Sequence, residues 1–387
     1  MEETLTLELN KIYLGEALET LKTFPANSID CVITSPPYWG LRDYGTGEWI
    51  GGDKNCNHYR DNKSKSANTG QKREGANSGD GIYKNTCFKC GALRIDRQLG
   101  LEKTPGEYII KIVEIFNEVR RVLKKEGTLW LNLGDSYAGG GRGCNTPKQQ
   151  SNRGTRNMPD SIIPKGLKQK DLVGIPWRVA FALQSDGWYL RQDIIWHKSN
   201  PMPESVTDRC TKAHEYIFLL AKSKKYYFEI QREKLSEAYL KEKRPFGILR
   251  QRLYPQSKYQ KEEYGSDQFK TKGETRDYTG RYGNDGKGMA MPYKWNNPLG
   301  RNKRSVWTIA THPFKEAHFA TFPENLIEPM IKAGCPQGGV CLDPFMGSGT
   351  TALVARNLSR KFVGIELNPK YIEIAEKRLQ DAFGMFR

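Results

Sequence analysis

Apolar positions along the chain fall into two recurring patterns, one helical and one made of short, nearly continuous runs. Thr104-Pro105-Gly106-Glu107 combines a capping residue, a proline at the first helical position and a glutamate at the third, and Ile109, Ile112, Val113, Phe116, Val119 and Leu123 follow at helical spacing. This predicts a helix ended by Gly127. The runs TLWLNL (128–133), WYLRQDIIW (188–196) and HEYIFLL (214–220) predict strands, and a second helix is expected from Asp171 to about Ser185. Strand and helix in alternation imply an α/β fold with a parallel-rich sheet wrapped by helices.

Length and charge add a partner to this picture. At 387 residues the chain exceeds the usual domain size of about 100–150, so one enlarged domain with insertions, or two domains, are expected. Lys plus Arg outnumber Asp plus Glu by 61 to 44, a formal charge of +17 that points to a polyanionic partner. The charge is segregated: residues 59–86, 139–170 and 224–305 carry nets of +3, +6 and +10, which leaves the remainder within two charges of neutral. These segments are poor in periodic apolar residues and rich in Gly, Asn, Ser, Lys and Arg, so they are expected to be loops or a small appended module. In the last of them Tyr254, Tyr259, Tyr264, Tyr278 and Tyr282 alternate with basic residues, which argues against a plain linker. No apolar run approaches the roughly 18 residues of a membrane span. The N-terminal MEETLTLELNKIYLGE has acids where a signal peptide needs basic residues, so no membrane association and a cytoplasmic location are expected.

Near the C-terminus, GVCLDPFMGSGTTALVARNLSRKFVGIELN (339–368) compresses into strand, glycine turn, helix and strand. Asp343 ends the first strand and Glu366 ends the second, 23 residues later. Gly347 and Gly349 let backbone approach a ligand where a Cβ would collide, and the second carboxylate is placed to grip ribose hydroxyls. A triphosphate loop would need Gly-Lys-Ser/Thr, whereas Gly349 is followed by Thr350-Thr351. A dinucleotide site would set a pyrophosphate against Asp343, which would repel it. An acid at that position suits a cationic ligand. S-adenosylmethionine, with a sulfonium and an ammonium, fits: Asp343 holds its amino-acid end and Glu366 its ribose.

DPFMGSGTT (343–351) resembles the cofactor motif of DNA amino-methyltransferases, and Thr34-Ser35-Pro36-Pro37-Tyr38-Trp39, after the strand-like IDCVI, resembles their catalytic motif. The catalytic motif precedes the cofactor motif, with basic sequence between them, which resembles the circularly permuted beta class of that family. The resemblance implies a Rossmann-like, S-adenosylmethionine-dependent methyltransferase fold with basic insertions. It also implies cofactor contacts from Asp343, Pro344, Phe345, Gly347, Ser348, Gly349, Thr350 and Glu366. IYLGEAL resembles the strand whose acidic end meets the adenine side of the cofactor, with Gly15-Glu16 in place of the usual Gly-Asp. HFATFP (318–323) resembles the segment that walls the cofactor, which adds Phe319, Thr321 and Phe322. WHKSNPMP (196–203) resembles the segment near the target base, with Trp196, Lys198 and Asn200 as candidates.

The chemistry such an enzyme needs is legible in Ser35, Pro36, Pro37 and Tyr38. An exocyclic amino nitrogen is a poor nucleophile because its lone pair is delocalised into the ring. The Ser35 hydroxyl and the Pro36 carbonyl can accept hydrogen bonds from its two protons and aim the lone pair at the methyl group, while paired prolines fix the backbone and Tyr38 offers a face for stacking. The base must first leave the duplex, so a flipping step is expected, with basic insertions holding phosphates. Carbon-5 methylation would need an attacking cysteine after a proline, and no Pro-Cys dipeptide occurs. In the resembled family Ser-Pro-Pro-Tyr leans to cytosine N4, while Asp or Asn at the first position leans to adenine N6. The expected activity is therefore sequence-specific methylation of cytosine N4 in double-stranded DNA, with adenine N6 as the alternative, and such an enzyme can have a companion restriction endonuclease.

Four of the eight cysteine and five histidine side chains could form a metal site: Cys56, His58, Cys87 and Cys90, in Cys-Asn-His and Cys-Phe-Lys-Cys-Gly. Three sulfurs and an imidazole make a closed tetrahedral set, which predicts a structural Zn2+; a redox pair or unligated residues are the alternatives. Cys31, Cys144, Cys210 and Cys335 have no partner at ligand spacing, and Cys341 is expected to be a small buried hydrophobe. The resulting division is 1–55 with the catalytic motif, 56–100 as the zinc-binding insertion, 101–223 as catalytic domain, 224–305 for target recognition and 306–387 for the cofactor. A zinc-containing nucleic-acid-binding protein without catalysis would explain the charge and the Cys/His set but not Ser35-Pro36-Pro37-Tyr38. RNA modification is a third reading.

Overall fold

The computed structural model describes residues 7–40, 44, 46–56, 86–87, 89–138, 163, 166–234, 300–311 and 322–384. Most of the three basic segments, with His58, Cys144, Phe319 and Thr321, lies outside the described residues. Two compact units are present, residues 1–229 with 304–387, and Ile230–Lys303.

In the larger unit the strands are β1 (Lys11–Leu14), β2 (Ile29–Thr34), β3 (Glu48–Ile50), β4 (Leu93–Ile95), β5 (Leu123–Leu133), β6 (Tyr189–His197), β7 (His214–Ala221), β10 (Val306–Thr308), β11 (Val340–Asp343) and β12 (Lys361–Glu366). Its helices are α1 (Ala17–Lys22), α2 (Pro105–Val122), α3 (Ile175–Ser185), α4 (Glu324–Gly334), α5 (Thr350–Asn357) and α6 (Pro369–Phe383). Eight strands form one sheet in the order β1-β12-β11-β2-β5-β7-β6-β10, and β3 pairs with β4 in a separate antiparallel ribbon. The smaller unit is described over residues 230–234 and 300–303, where β8 (Arg232–Glu233) and β9 (Arg301–Asn302) pair antiparallel. Among the described residues no helix is long and apolar enough to cross a membrane.

The central strands β2, β5, β7, β11 and β12 are buried on both faces, which is why they carry nearly continuous apolar runs. In β5 Leu129, Leu131 and Leu133 join one core cluster with α1, α2 and α3, while Trp130 joins a second with α4, α5 and α6. Pairings from β1 to β5 are parallel; β7 runs antiparallel to both β5 and β6. From β2 the chain crosses through α2 to β5, and from β11 it crosses through α5 to β12 in the opposite direction, on the other face. The adjacent strands β2 and β11 therefore flank a topological switch point, where ligands bind at the carboxyl ends of an open α/β sheet.

Local expectations hold where they depend on neighbouring residues. Thr104 caps α2, its hydroxyl accepting from the Glu107 N–H at 3.2 Å. Two boundaries differ. The helix stops at Val122, not Gly127, because Leu123 already pairs with Ile29 and the strand runs on through Gly127. A Cβ at Gly127 would sit 2.9 Å from the Asp30 carbonyl oxygen and 2.5 Å from the Leu123 side chain, so the glycine permits close strand approach. The second helix begins at Ile175, not Asp171: Leu172 bridges Tyr137, and Gly174, at φ +77°, turns the chain into the helix.

Candidate active site

The glycine turn after β11 is held from below by Asp343, which is 1% exposed. Its Oδ1 accepts from the Thr34 hydroxyl at 2.6 Å and the Phe345 N–H at 3.1 Å, and its Oδ2 accepts from the Thr351 hydroxyl at 2.8 Å. One carboxylate thus joins the end of β2 to the turn and to the first residues of α5. Burial pushes its pKa up to about 6, against the pull of those three donors. Glu366 closes the turn from the next strand, its oxygens accepting from the Gly347 and Asn368 N–H groups, each at 2.8 Å. Burial raises its pKa as well.

The two glycines differ in what they permit. At Gly347, φ +53°, a Cβ would meet nothing closer than the Phe345 carbonyl at 4.0 Å, so the protein leaves space there. At Gly349, φ +80°, a Cβ would come 2.7 Å from the Ala375 Cβ. The packing of α6 is thus one reason for glycine at this position. The Arg378 guanidinium of α6 donates to the Ser348 carbonyl at 2.7 Å and to the Ser348 and Thr350 hydroxyls, each at 3.1 Å. Ser348 and Thr350, each 4% exposed, shape the loop through these bonds. Pro344 is buried, whereas Phe345 and Gly347 are half-buried.

Glu16 follows β1 and caps α1, its carboxylate accepting from the Glu19 N–H at 2.9 Å; the Gly15 N–H donates to the Glu366 carbonyl at 3.0 Å. Glu16, Glu366 and Asp343 therefore end three neighbouring parallel strands at one edge. Phe322 packs, half-buried, against the second core cluster.

Ser35-Pro36-Pro37-Tyr38 leaves β2 beside this turn, since Thr34 is the partner of Asp343. The Pro37 carbonyl accepts from the Tyr108 hydroxyl at 2.9 Å, and the Gly40 N–H donates to the Gly100 carbonyl at 2.9 Å. Among the described residues nothing bonds the Pro36 carbonyl. Tyr38 lies against Gly134, where a Cβ would come 2.5 Å from the ring. Its hydroxyl donates to Glu215 Oε2 at 2.7 Å, and burial together with that negative neighbour raises its pKa well above the usual phenol. Asn132 Nδ2 stands 2.9 Å from the Tyr38 hydroxyl, 3.3 Å from Ser35 Oγ and 3.0 Å from Glu215 Oε2, and Glu215 pairs with Lys198.

Of the three residues expected near the target base, Lys198 joins this cluster. Trp196 is buried with its indole N–H on the Ile309 carbonyl at 2.9 Å, and Asn200 bonds the Thr311 backbone. Sequence reasoning missed Asn132 and Glu215. The signal was a lone polar residue near the carboxyl end of a buried strand in one case and an acid at the start of an apolar run in the other.

Beside the β3–β4 ribbon, the sulfurs of Cys56, Cys87 and Cys90 all lie within 4.8 Å of one another. The Gly91 N–H donates to the Cys87 carbonyl at 2.9 Å, closing a tight turn at Cys-Phe-Lys-Cys-Gly. Cys31, Cys335 and Cys341 are fully buried in the second core cluster, as small hydrophobes.

A family model for DNA methylases of the N6/N4 type matches residues 29–377. The type II methyltransferase M.Cfr9I of Citrobacter freundii is 39% identical over 377 residues, 97% of this chain and 89% of its own length. M.SmaI of Serratia marcescens, another type II methyltransferase, is 38% identical over 369 residues, 95% of this chain and 90% of its own. Among solved structures, the PvuII DNA methyltransferase (cytosine-N4-specific) shares the fold at a TM-score of 0.50 and 17% identity, over 96% of this chain and 87% of that one. Two motifs that meet at the switch point of the sheet, in a chain matched by this family over nearly its whole length, make the protein a DNA methyltransferase of the N6/N4 DNA methylase family.

Proposed function

We propose that the protein transfers a methyl group from S-adenosylmethionine to N4 of a cytosine flipped out of double-stranded DNA. The observation that carries this reading is the 2.6 Å bond between Thr34 and Asp343, which sets the residue next to Ser35 against the anchor of the glycine turn. Donor and acceptor sites joined this closely suit a direct displacement, in which proximity and polarisation carry most of the rate.

The residues fit the cofactor by their own properties. Space left at Gly347 suits backbone contact with a ligand, and the buried carboxylates of Asp343 and Glu366, both held above their ordinary pKa, gain from a cation nearby. Bound there, S-adenosylmethionine supplies an electrophilic methyl on a sulfonium. Asp343 would face its amino-acid end through the turn it anchors, Glu366 the ribose and Glu16 the adenine side, with Phe319, Thr321 and Phe322 as wall. On the acceptor side Ser35 Oγ and the Pro36 carbonyl, which nothing bonds among the described residues, would accept hydrogen bonds from the two amino protons, and the Tyr38 ring would offer a face for stacking of the base.

Mixed-sequence duplex DNA incubated with the protein and S-adenosylmethionine, then digested to nucleosides and analysed by mass spectrometry, is expected to yield N4-methylcytosine. N6-methyladenine would overturn the base assignment, and a preference for RNA as acceptor would overturn the substrate. The basic segments, 224–305 above all, are assigned to DNA contact and target recognition, and a companion restriction endonuclease fits the type II naming of the relatives.

The sulfurs of Cys56, Cys87 and Cys90, with His58 as fourth ligand, suit a structural Zn2+ that staples the insertion after the catalytic motif. The purified protein is expected to hold one zinc ion by elemental analysis. Cys90→Ser should lose it and melt at lower temperature, since metal binding to such a site is folding free energy. Zinc-free protein with an unchanged melting temperature would refute the assignment.

A further inference from the structure

Behind Ser35 a half-buried cluster gathers residues from four stretches of chain: Tyr38 after β2, Asn132 on β5, Lys198 after β6 and Glu215 on β7. Its hydrogen bonds have a direction. An ammonium only donates, so Lys198 donates to Glu215 Oε1. The Tyr38 hydroxyl donates to Oε2 of the same carboxylate at 2.7 Å, and the Ser35 hydroxyl donates to Tyr38 at 3.3 Å. The Asn132 amide nitrogen, 2.9 Å from the Tyr38 hydroxyl, 3.0 Å from Glu215 and 3.3 Å from Ser35 Oγ, can also only donate, and its two hydrogens are shared among these acceptors. The carboxylate sets which end of that amide faces the cluster, because the reverse orientation would bring Oδ1 against Oε2. Among the described residues Asn132 Oδ1 is left buried with no hydrogen-bond partner, a cost that an apolar side chain in this strand would not carry.

A serine hydroxyl has one hydrogen and two lone pairs. In this arrangement Tyr38 takes the hydrogen and Asn132 reaches at most one lone pair, so at least one lone pair of Ser35 Oγ remains. Building on the reading that Ser35 accepts a hydrogen bond from the target amino group, we propose that Glu215 is a positioning residue for methyl transfer. Acting through Tyr38 and Asn132, it keeps the Ser35 hydroxyl hydrogen turned inward and the remaining lone pair directed to the base. Without the carboxylate, the Tyr38 hydroxyl is released to donate to Ser35 Oγ and occupy that lone pair. Ser35 then meets the amino group with its hydrogen, the wrong polarity for drawing the nitrogen lone pair out of the ring.

The test uses the full chain with S-adenosylmethionine and genomic DNA of mixed sequence. Glu215→Gln and Tyr38→Phe are each expected to lower kcat by about 10- to 100-fold, while the KM for DNA and the Kd for S-adenosylmethionine stay at their wild-type values. The double variant should be no slower than Glu215→Gln alone, because both act on one hydroxyl. Wild-type kcat in both single variants, with Ser35→Ala impaired, would overturn the proposal and leave the role of Ser35 standing. A fully active Ser35→Ala would overturn both. If Glu215→Gln fails to fold, Tyr38→Phe, which loses one oxygen only, decides: a raised DNA KM without a fall in kcat would mark a binding role and overturn the proposal.

Discussion

Ser35→Ala is expected to lower kcat by about 10²–10³-fold, the cost of deleting one preorganised hydrogen-bond partner at a reacting group. The fold should survive, because Ser35 is half-buried in a loop anchored by its neighbours: Pro37 through Tyr108 and Thr34 through Asp343. Alanine would leave the Pro36 carbonyl as the sole acceptor, so the amino nitrogen stays planar for longer on its way to the methyl group. Steady-state kinetics should therefore show the loss in kcat, with the Kd for S-adenosylmethionine by calorimetry unchanged. Equal loss of cofactor binding would assign Ser35 to the cofactor loop and not to the base.

At Asp343 the expected loss falls on cofactor binding. Alanine there strands the Thr34 and Thr351 hydroxyls and the Phe345 N–H. Each orphaned buried donor costs about 1–3 kcal/mol, so Asp343→Ala should melt at lower temperature and bind S-adenosylmethionine too weakly to measure. An amide in place of the acid keeps the shape and removes the charge, which separates the two effects: Asp343→Asn should stay folded yet bind the cofactor more weakly. The raised pKa gives this a pH signature. With its carboxyl pushed up to about 6 by burial, the folded protein without ligand favours the protonated acid. That stabilisation is complete below the unfolded value of about 3.9 and is lost as pH rises through about 6. A cationic ligand favours the ionised form, so its Kd should rise about tenfold for each pH unit below 6. Asp343→Asn should lack this slope. A wild-type Kd with no pH dependence between about 4 and 7 would show that no cation sits near Asp343.

Several features of the fold and site were legible because they depend on contiguous residues. The cap and first turn of α2, the glycine turn between two acid-ended strands and the tight turn at Cys87–Cys90 all lie within short windows, where backbone preference and side-chain chemistry act on the same atoms. The strand runs were legible for the same reason, since burial on both faces demands apolar residues at successive positions. The end of α2 was not. Gly127 is a good helix terminator by local preference, but pairing of Leu123 with Ile29 makes the segment a strand four residues earlier. At Gly349 the sequence offers a turn glycine, and only the packing of Ala375 shows what a side chain there would strike.

By itself, then, the sequence determined the two motifs, their order along the chain, the α/β character and the excess of positive charge. Tertiary structure decided which carboxylates meet which loops. Thr34 and Asp343 are 309 positions apart, and Tyr38 and Glu215 are 177 apart. These distances in sequence close only because β2 lies between β11 and β5, with β7 antiparallel beyond β5. Strand order and register are properties of pairings between distant segments, and a one-residue slip would turn Asn132 and Glu215 to other faces. The hydroxyl of Ser35 is written in the sequence, while the direction of its hydrogen bonds depends on groups that only the folded sheet brings within reach.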